Sequence, residues 1–312
     1  MSSILMKVAL ITGVSGFIGR YAARYFAEQG WSVVGIDNSQ PENAPLASLS
    51  AYHRFQLPDP AFSQLLKNIA PQVCIHCAGR ASVGLSMAEP SADFHTNTVL
   101  TFELLNALRL NAPHCRFIFL SSAAVYGNPE SLPVRESQIT APLSPYGFHK
   151  LQCEQLCLEF SKIYDLSTAS LRIFSAYGPG LRRQVLWDIC RKLVTQNSLS
   201  LQGTGDESRD FIHALDIANA IEVIATAAPM QGEAYNLATG REVTILELAN
   251  IVLEALELNC QPEFDGVVPP GNPLNWHADI SKLTALGFTP TVPFEQGVRT
   301  FGSWCRAELV GW

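Results

Sequence analysis

A tyrosine and a lysine stand four residues apart in SPYGFHK (144–150), just inside a point where a serine followed by a proline marks a helix start. At that spacing Tyr146 and Lys150 share one face of the helix, one turn apart. A free tyrosine, with a pKa of about 10, is no base at neutral pH. An ammonium beside it stabilises the phenolate and brings proton exchange toward working pH. A Tyr-x-x-x-Lys spacing is also common on plain helix surfaces, so a second group is needed to give it meaning. SSAAVYG (121–127) supplies one: a serine pair closing an apolar strand, at the edge where open α/β sheets bind ligands. Ser122 is placed to hold a substrate hydroxyl toward Tyr146; its plainer role is a turn cap.

Elements must hold these groups together, and the chain alternates short apolar runs with longer amphipathic stretches. The runs are LMKVALIT (5–12), SVVGID (32–37), VCIHCA (73–78), RFIFLSS (116–122) and TASLRIF (168–174). Between them lie FIGRYAARYFAEQG (17–30), AFSQLLKNIA (61–70), ADFHTNTVLTFELLNALRL (92–110) and the stretch 144–165. Strands that are apolar throughout are those covered by helices on both faces. The pattern predicts an α/β fold built on a doubly wound parallel sheet. After Phe174 the rhythm loosens, with helices predicted over 184–196, 215–227 and 244–257 and a strand over 234–238.

The first strand runs into TGVSGFIGR, which sets Gly13, Gly16 and Gly19 at the strand-to-helix turn. Glycines there permit the tight turn, the approach of a pyrophosphate to the backbone, and close packing of helix on strand, with the phosphates at the helix N-terminus. The second strand ends in Asp37, about 20 residues on, where a carboxylate grips an adenosine ribose. No basic residue follows in DNSQPEN, so a 2′-phosphate would meet Asp37 unneutralised, and the cofactor expected is NAD. Oxidised nicotinamide would add a second positive charge near Tyr146. The organisation that follows is a Rossmann-type NAD-binding domain over 1–174, to which 209–238 return, and a smaller, partly interleaved substrate-binding α/β region over 175–312.

Gly13-x-x-Gly16-x-x-Gly19, HCAG (76–79), SSAAVYG and Tyr146-x-x-x-Lys150, in this order, resemble the extended short-chain dehydrogenase/reductases that act on nucleotide sugars, most closely the UDP-glucose 4-epimerase-like members. LRIFSAYGPG (171–180), GDESRDFIHALDIANAI (205–221), YNLATGREVTILELA (235–249) and ADISKLTALGF (278–288) resemble the substrate half of that family, so the likeness spans nearly the whole chain. The resemblance implies Tyr146 as the base, Lys150 on the nicotinamide ribose, and Ser122 as partner of the reacting oxygen. It implies further cofactor contacts from Phe17 and Ile18 at the glycine turn, from Asn38 beside Asp37, and from Gln56, Leu57, Ala78, Asn97 and Ser121. Substrate contacts would come from Ser86, Ser122, Ser175 and Arg209, the last on a nucleoside diphosphate. The implied reaction is epimerisation of a nucleotide sugar, expected at C4, with hydride removed and returned through a ketone. A 4-ketoreductase or dehydrogenase using the same triad is the alternative, and a non-catalytic dinucleotide sensor a further one.

The departures are informative too. Ala123 and Ala124 stand where the 4,6-dehydratases of this family carry an Asp-Glu pair, so elimination chemistry lacks its acid and base. Ser175 replaces an asparagine, and PPGNP (269–273) replaces an arginine-containing segment; Arg182 and Arg183 are candidates to restore positive charge toward the substrate. Gln56 stands where the family has an aspartate beside the adenine, with Asp59 nearby. His76 reads as a packed structural imidazole, and His149 as solvent or interface.

Composition narrows the partners. Charged residues are 16% of the chain and hydrophobic ones 47%, against about 25% charged in ordinary soluble domains. With a net charge of −7 and no basic run beyond Arg182-Arg183, binding to nucleic acid or an anionic membrane is not expected. No apolar stretch reaches the length of a membrane span. The eight cysteines, scattered through apolar contexts, read as reduced core thiols in the cytoplasm. No set of three or four ligands converges on either closely spaced cysteine pair, so no metal is expected. Family members commonly dimerise through the helices equivalent to 92–110 and 145–164, which implies a homodimer here.

Overall fold

The computed structural model describes residues 7–196, 198–267 and 273–310. The first half alternates as the apolar runs require: Val8–Thr12 (β1), Phe17–Glu28 (α1), Ser32–Asp37 (β2), Ala51–Arg54 (β3), Pro60–Ile69 (α2) and Val73–His76 (β4). Two short helices follow, Val83–Ala88 (α3) and Pro90–Phe94 (α4). A wide π turn, His95–Val99, then leads into Leu100–Asn111 (α5), Arg116–Ser122 (β5), Pro145–Tyr164 (α6) and Thr168–Ile173 (β6). The rest comprises Ser175–Tyr177 (β7), Gln184–Gln196 (α7), Leu199–Leu201 (β8), Ser208–His213 (β9), Ala214–Ala227 (α8) and Gln231–Leu237 (β10). It ends with Glu242–Thr244 (β11), Ile245–Ala255 (α9), Pro262–Phe264 (β12), Ser281–Thr284 (α10) and Phe294–Val310 (α11). Residues 5 and 6 of the expected first strand lie outside the described residues.

Seven parallel strands form the main sheet in the order β10-β6-β5-β4-β1-β2-β3. The order reverses at β1, whose neighbours β2 and β4 lead away in opposite directions, and the crevice at such a switch point binds ligands. The doubly wound reading is thus the fold observed. One face is covered by α1 and α8, burying Ala22, Phe26, Ile217, Ile221 and Ile224. The other is covered by α2, α5 and α6, burying Phe62, Leu66, Leu104, Leu108, Cys157 and Phe160. Both faces being covered is why the strands carry no polar alternation.

A smaller unit packs α7, α9 and α11 around Ile189, Leu193, Leu248, Val252 and Phe301. It includes a sheet in the order β11-β9-β7 and a two-stranded pair of β8 and β12. Of the stretch 209–238, α8 packs on α1 and β10 takes the edge of the main sheet beside β6. β9 instead pairs with β7 and β11 in the small sheet. The chain then crosses back: Ala278 bridges to Val134, and Leu283 and Phe288 are fully buried in the layer with α1 and α8. Two buried carboxylates clamp these returning segments, Asp210 accepting from Thr239, Gly240 and Ala278, and Asp216 from Thr291 and Val292. No helix among the described residues is long and apolar enough to cross a membrane.

Candidate active site

The helix carrying the tyrosine–lysine pair starts where its sequence says. Ser144 Oγ accepts the Gly147 N–H at 3.2 Å, Pro145 occupies the first turn, and Tyr146 follows at the carboxyl end of the main sheet. The Tyr146 N–H, one of the donors a helix start leaves without an internal partner, is donated to Ser86 Oγ at 3.1 Å. Ser86 is fully buried and gives its own proton to the Val83 carbonyl at 2.7 Å. Ser86, expected at the substrate, does not line the cavity among the described residues. Its hydroxyl is spent on tying α3 to the start of α6, and Ser82 and Val83 of the same segment line the cavity instead.

Lys150 lies one turn further, nearly buried. Its Nζ donates to the Leu120 carbonyl at 2.8 Å and sits 4.7 Å from the Phe119 ring centre and 5.7 Å from that of Tyr146. The ammonium is thereby held between β5 and the phenol. Ser122 ends β5; its Oγ accepts the Ala124 N–H at 3.2 Å and opens a short turn over Ala123–Val125. The turn-cap role and the substrate role coexist, because a hydroxyl that accepts an N–H keeps its proton to donate. Ser122 and Tyr146 both face a cavity of about 670 Å³ that passes Phe174, Ser175 and Trp276 and reaches Arg183 and Arg209 at the small unit.

Arg209 is the cation best set for an anion. Its Nη1 donates to the carbonyls of Ser208 and Leu274 at 2.7 and 3.1 Å, and its guanidinium lies 5.6 Å from the Trp276 ring centre. No carboxylate pairs with it among the described residues, and desolvation lowers its pKa to about 10. Arg183 also lines the cavity and reaches the Ala81 carbonyl. Arg182 does not: its guanidinium pairs with Glu308 of α11 and stacks on Trp304. Arg182, expected at the substrate with Arg183, is here turned away from the cavity, since neighbouring side chains at a helix entrance point to different sides. Of the PPGNP segment, residues 269–272 lie outside the described residues, and Pro273 lines the cavity.

On the other side of the sheet's switch point the glycine turn leaves a cradle. Gly13 has φ +68°, and a Cβ there would lie 2.5 Å from the Ala78 nitrogen; one on Gly19 would collide with the Gly13 carbonyl. Gly16 precedes α1 without a side-chain cap, so the first N–H groups of that helix face outward. Asp37 accepts the Ser15 and Ser39 N–H groups at 2.9 and 3.0 Å at the end of β2. Asn38 Nδ2 donates to Gln56 Oε1 at 3.1 Å beside it, and Leu57 packs on the core under α2. Asp59 caps α2 through the Ala61 N–H. Asn97 sits in the π turn, 1% exposed, with neither amide atom partnered among the described residues. A Cβ on Gly79 would lie 2.6 Å from its Oδ1. An amide buried without partners beside a glycine cradle asks for a polar ligand.

The family described as "NAD dependent epimerase/dehydratase" matches residues 9–238. The chain belongs to this family. A putative UDP-glucose 4-epimerase of Methanocaldococcus jannaschii is 27% identical over 303 residues, covering 95% of this chain and 98% of that protein. The crystal structure of Thermus thermophilus UDP-glucose 4-epimerase in complex with NAD is 28% identical, covers 96% of this chain and 99% of its own, and has a TM-score of 0.85. GDP-6-deoxy-D-mannose reductase of Pseudomonas aeruginosa is 28% identical over 301 residues, covering 93% of this chain and 94% of that protein.

The cofactor of this epimerase/dehydratase family is NAD, and the cradle fits it. The open start of α1 suits the pyrophosphate, Asp37 the ribose, and the orphaned Asn97 amide a polar group deeper in the crevice. The Phe17 and Ile18 side chains pack toward the small unit and the main core, so what they offer a cofactor is backbone N–H. Ser121, expected at the cofactor, lines the cavity and donates its hydroxyl to Glu154 at 2.5 Å, so what it keeps for a ligand is acceptor capacity. His76 is packed between Thr12 and Thr101, and burial with Lys150 nearby lowers its pKa to about 3. His149 bonds Asp93 at 2.6 Å, tying α6 to α4. Sequence reasoning gave no role to Trp276, which forms part of the cavity wall beside Phe174.

Proposed function

We propose that the protein is an NAD-dependent nucleotide-sugar 4-epimerase. The observation that carries the reading is the cavity itself. It has Ser122 and Tyr146, with Lys150 behind the phenol, at one end, and a desolvated guanidinium, Arg209, toward the other. A base and a cation lining one cavity, the cation without a carboxylate partner among the described residues, suit a sugar joined to a diphosphate. Tyr146 takes the proton of the sugar hydroxyl at its phenolate oxygen, Ser122 holds that oxygen in line, and Lys150 keeps positive charge beside the phenol. NAD, when bound, takes up and returns the hydride. The ketone left on the sugar then turns over within the cavity and is reprotonated on oxygen by Tyr146. Ala123 is buried and Ala124 presents only a methyl, so the turn after Ser122 offers no acid or base for elimination.

Incubation with UDP-, GDP-, CDP- and dTDP-hexoses at catalytic NAD tests the reading. Conversion to the stereoisomer without net cofactor turnover is expected. No interconversion of the hexoses, together with stoichiometric NADH consumption in a parallel incubation with the 4-keto sugar nucleotides and NADH, would sink it in favour of the reductase.

Exposed apolar side chains gather on the α4–α6 side: Phe94, Phe102, Phe148 and Ile163, with Leu85 and Met87 of α3 beside them. Thr98 of the π turn donates to Gln152 of α6 at 3.3 Å. We read this face as the interface of a twofold homodimer, since an isologous surface would cover both copies at once. Light scattering should give twice the chain mass of 34.1 kDa, and a monomer at micromolar concentration would refute it. The free cysteines, mostly buried, support a reducing compartment such as the cytoplasm in this reading.

A further inference from the structure

Two charged residues that the reaction does not use lie buried beneath the site. Glu154 is one turn past Lys150 on α6, and Arg172 lies on β6 directly across from Ser121 of β5. Arg172 Nε donates to both Glu154 oxygens at 3.0 and 3.2 Å and Nη2 donates to one of them at 2.7 Å; both side chains are over nine-tenths buried. Ser121 adds its hydroxyl to the same carboxylate at 2.5 Å. On its far side Arg172 Nη1 donates to the Tyr126 hydroxyl at 2.8 Å and the Glu136 carbonyl at 3.2 Å. Tyr126 donates in turn to Asn236 Oδ1 at 2.6 Å, and Asn236 Nδ2 to the Val134 carbonyl at 2.8 Å.

Stability alone is a poor account of such a pair, because apolar residues of similar volume often serve a core as well or better. Its placement is more telling. Tyr146, Lys150 and Glu154 recur every four residues on one stripe of α6, and the last two are tied to consecutive residues of β5, Leu120 and Ser121, immediately before Ser122. The side chains of Cys153, Cys157 and Phe160 meet the sheet through apolar contacts that carry no direction, and one further directional bond, from Thr168 Oγ1 of β6 to the Cys157 carbonyl at 2.7 Å, lies two turns beyond Lys150 and away from Ser122. Directional bonds are what set the height of one element on another.

We propose that the buried Glu154–Arg172 ion pair is the positioning device that fixes α6 on β5, and with it the place of Tyr146 and Lys150 relative to Ser122. The proposal rests on the epimerase reading for its kinetic arm but not for its structural one. In Glu154→Met/Arg172→Met the charges leave together and the core volume is kept. The variant should keep its melting temperature within a few degrees. Its kcat should fall about tenfold or more with KM within about twofold, because a misplacement near 1 Å costs up to about 10²-fold. Its crystal structure with NAD should show the Lys150 Nζ–Leu120 O contact, 2.8 Å here, lengthened or broken. Glu154→Asp, which keeps the charge but draws the carboxylate back by one methylene, should fold in any case and show the same kcat loss in smaller measure.

If both variants keep kcat and the α6–β5 contacts are unmoved, the pair is structural only and the proposal fails. Should the wild-type enzyme convert no nucleotide sugar, the functional reading falls, and the crystal structures still decide whether the pair positions α6.

Discussion

Tyr146→Phe is expected to lower kcat by about 10²- to 10⁴-fold, the usual worth of a positioned acid–base group, while leaving KM for the nucleotide sugar within about twofold. The substitution removes one oxygen from a side chain that is nearly buried, keeps the ring beside Lys150, and leaves the bond from the backbone N–H to Ser86 intact. The melting temperature and the NAD content of the purified protein should therefore match those of wild type. Steady-state kinetics with whichever sugar nucleotide the wild type converts is the measurement. A loss under about tenfold would assign the proton to another group, and a loss of NAD together with activity would show that the phenol serves binding instead.

Arg209→Ala should act on the opposite kinetic parameter. The guanidinium is held by two carbonyls, stacks toward Trp276 and has no carboxylate partner among the described residues, so its charge is available to an anion. A charge-assisted hydrogen bond contributes about 1.5–3 kcal/mol, and its loss should raise KM about 10- to 100-fold with a much smaller change in kcat. Arg209→Lys should recover part of the affinity, as a point charge without the fork. Titration calorimetry with the nucleoside diphosphate alone reads the same loss without catalysis. Unchanged affinity in both variants would remove Arg209 from the substrate site.

The sequence discloses those features whose cause is local. Continuous apolar runs announce a sheet covered on both faces, and the glycine turn and Asp37 announce the dinucleotide crevice, because each depends on backbone freedom or on residue type at a fixed offset. What it conceals depends on partners far along the chain. Ser86 has a type suited to substrate, yet its direction is set by the Tyr146 N–H, 60 residues away. Arg182 and Arg183 are indistinguishable as letters; Glu308, 126 residues on, takes one and leaves the other to the cavity. β9 carries a buried pattern that fits either sheet, and only the neighbouring β7 and β11 decide which. Glu154 and Arg172 look like ordinary helix and strand charges until their burial together is seen. Arg172 did leave a trace, as the one charge in a strand that is otherwise free of them.

The edge position of β10 bears on how the molecule comes into being. Emerging from a ribosome, the first six strands of the large sheet are complete once residue 173 is out, yet the outer side of β6 waits for 231–237, and the layer over α1 waits further, for Leu283 and Phe288. Through that interval the nascent chain presents an unpaired strand and an unfilled hydrophobic seam, the features that invite mispairing and chaperone capture during translation.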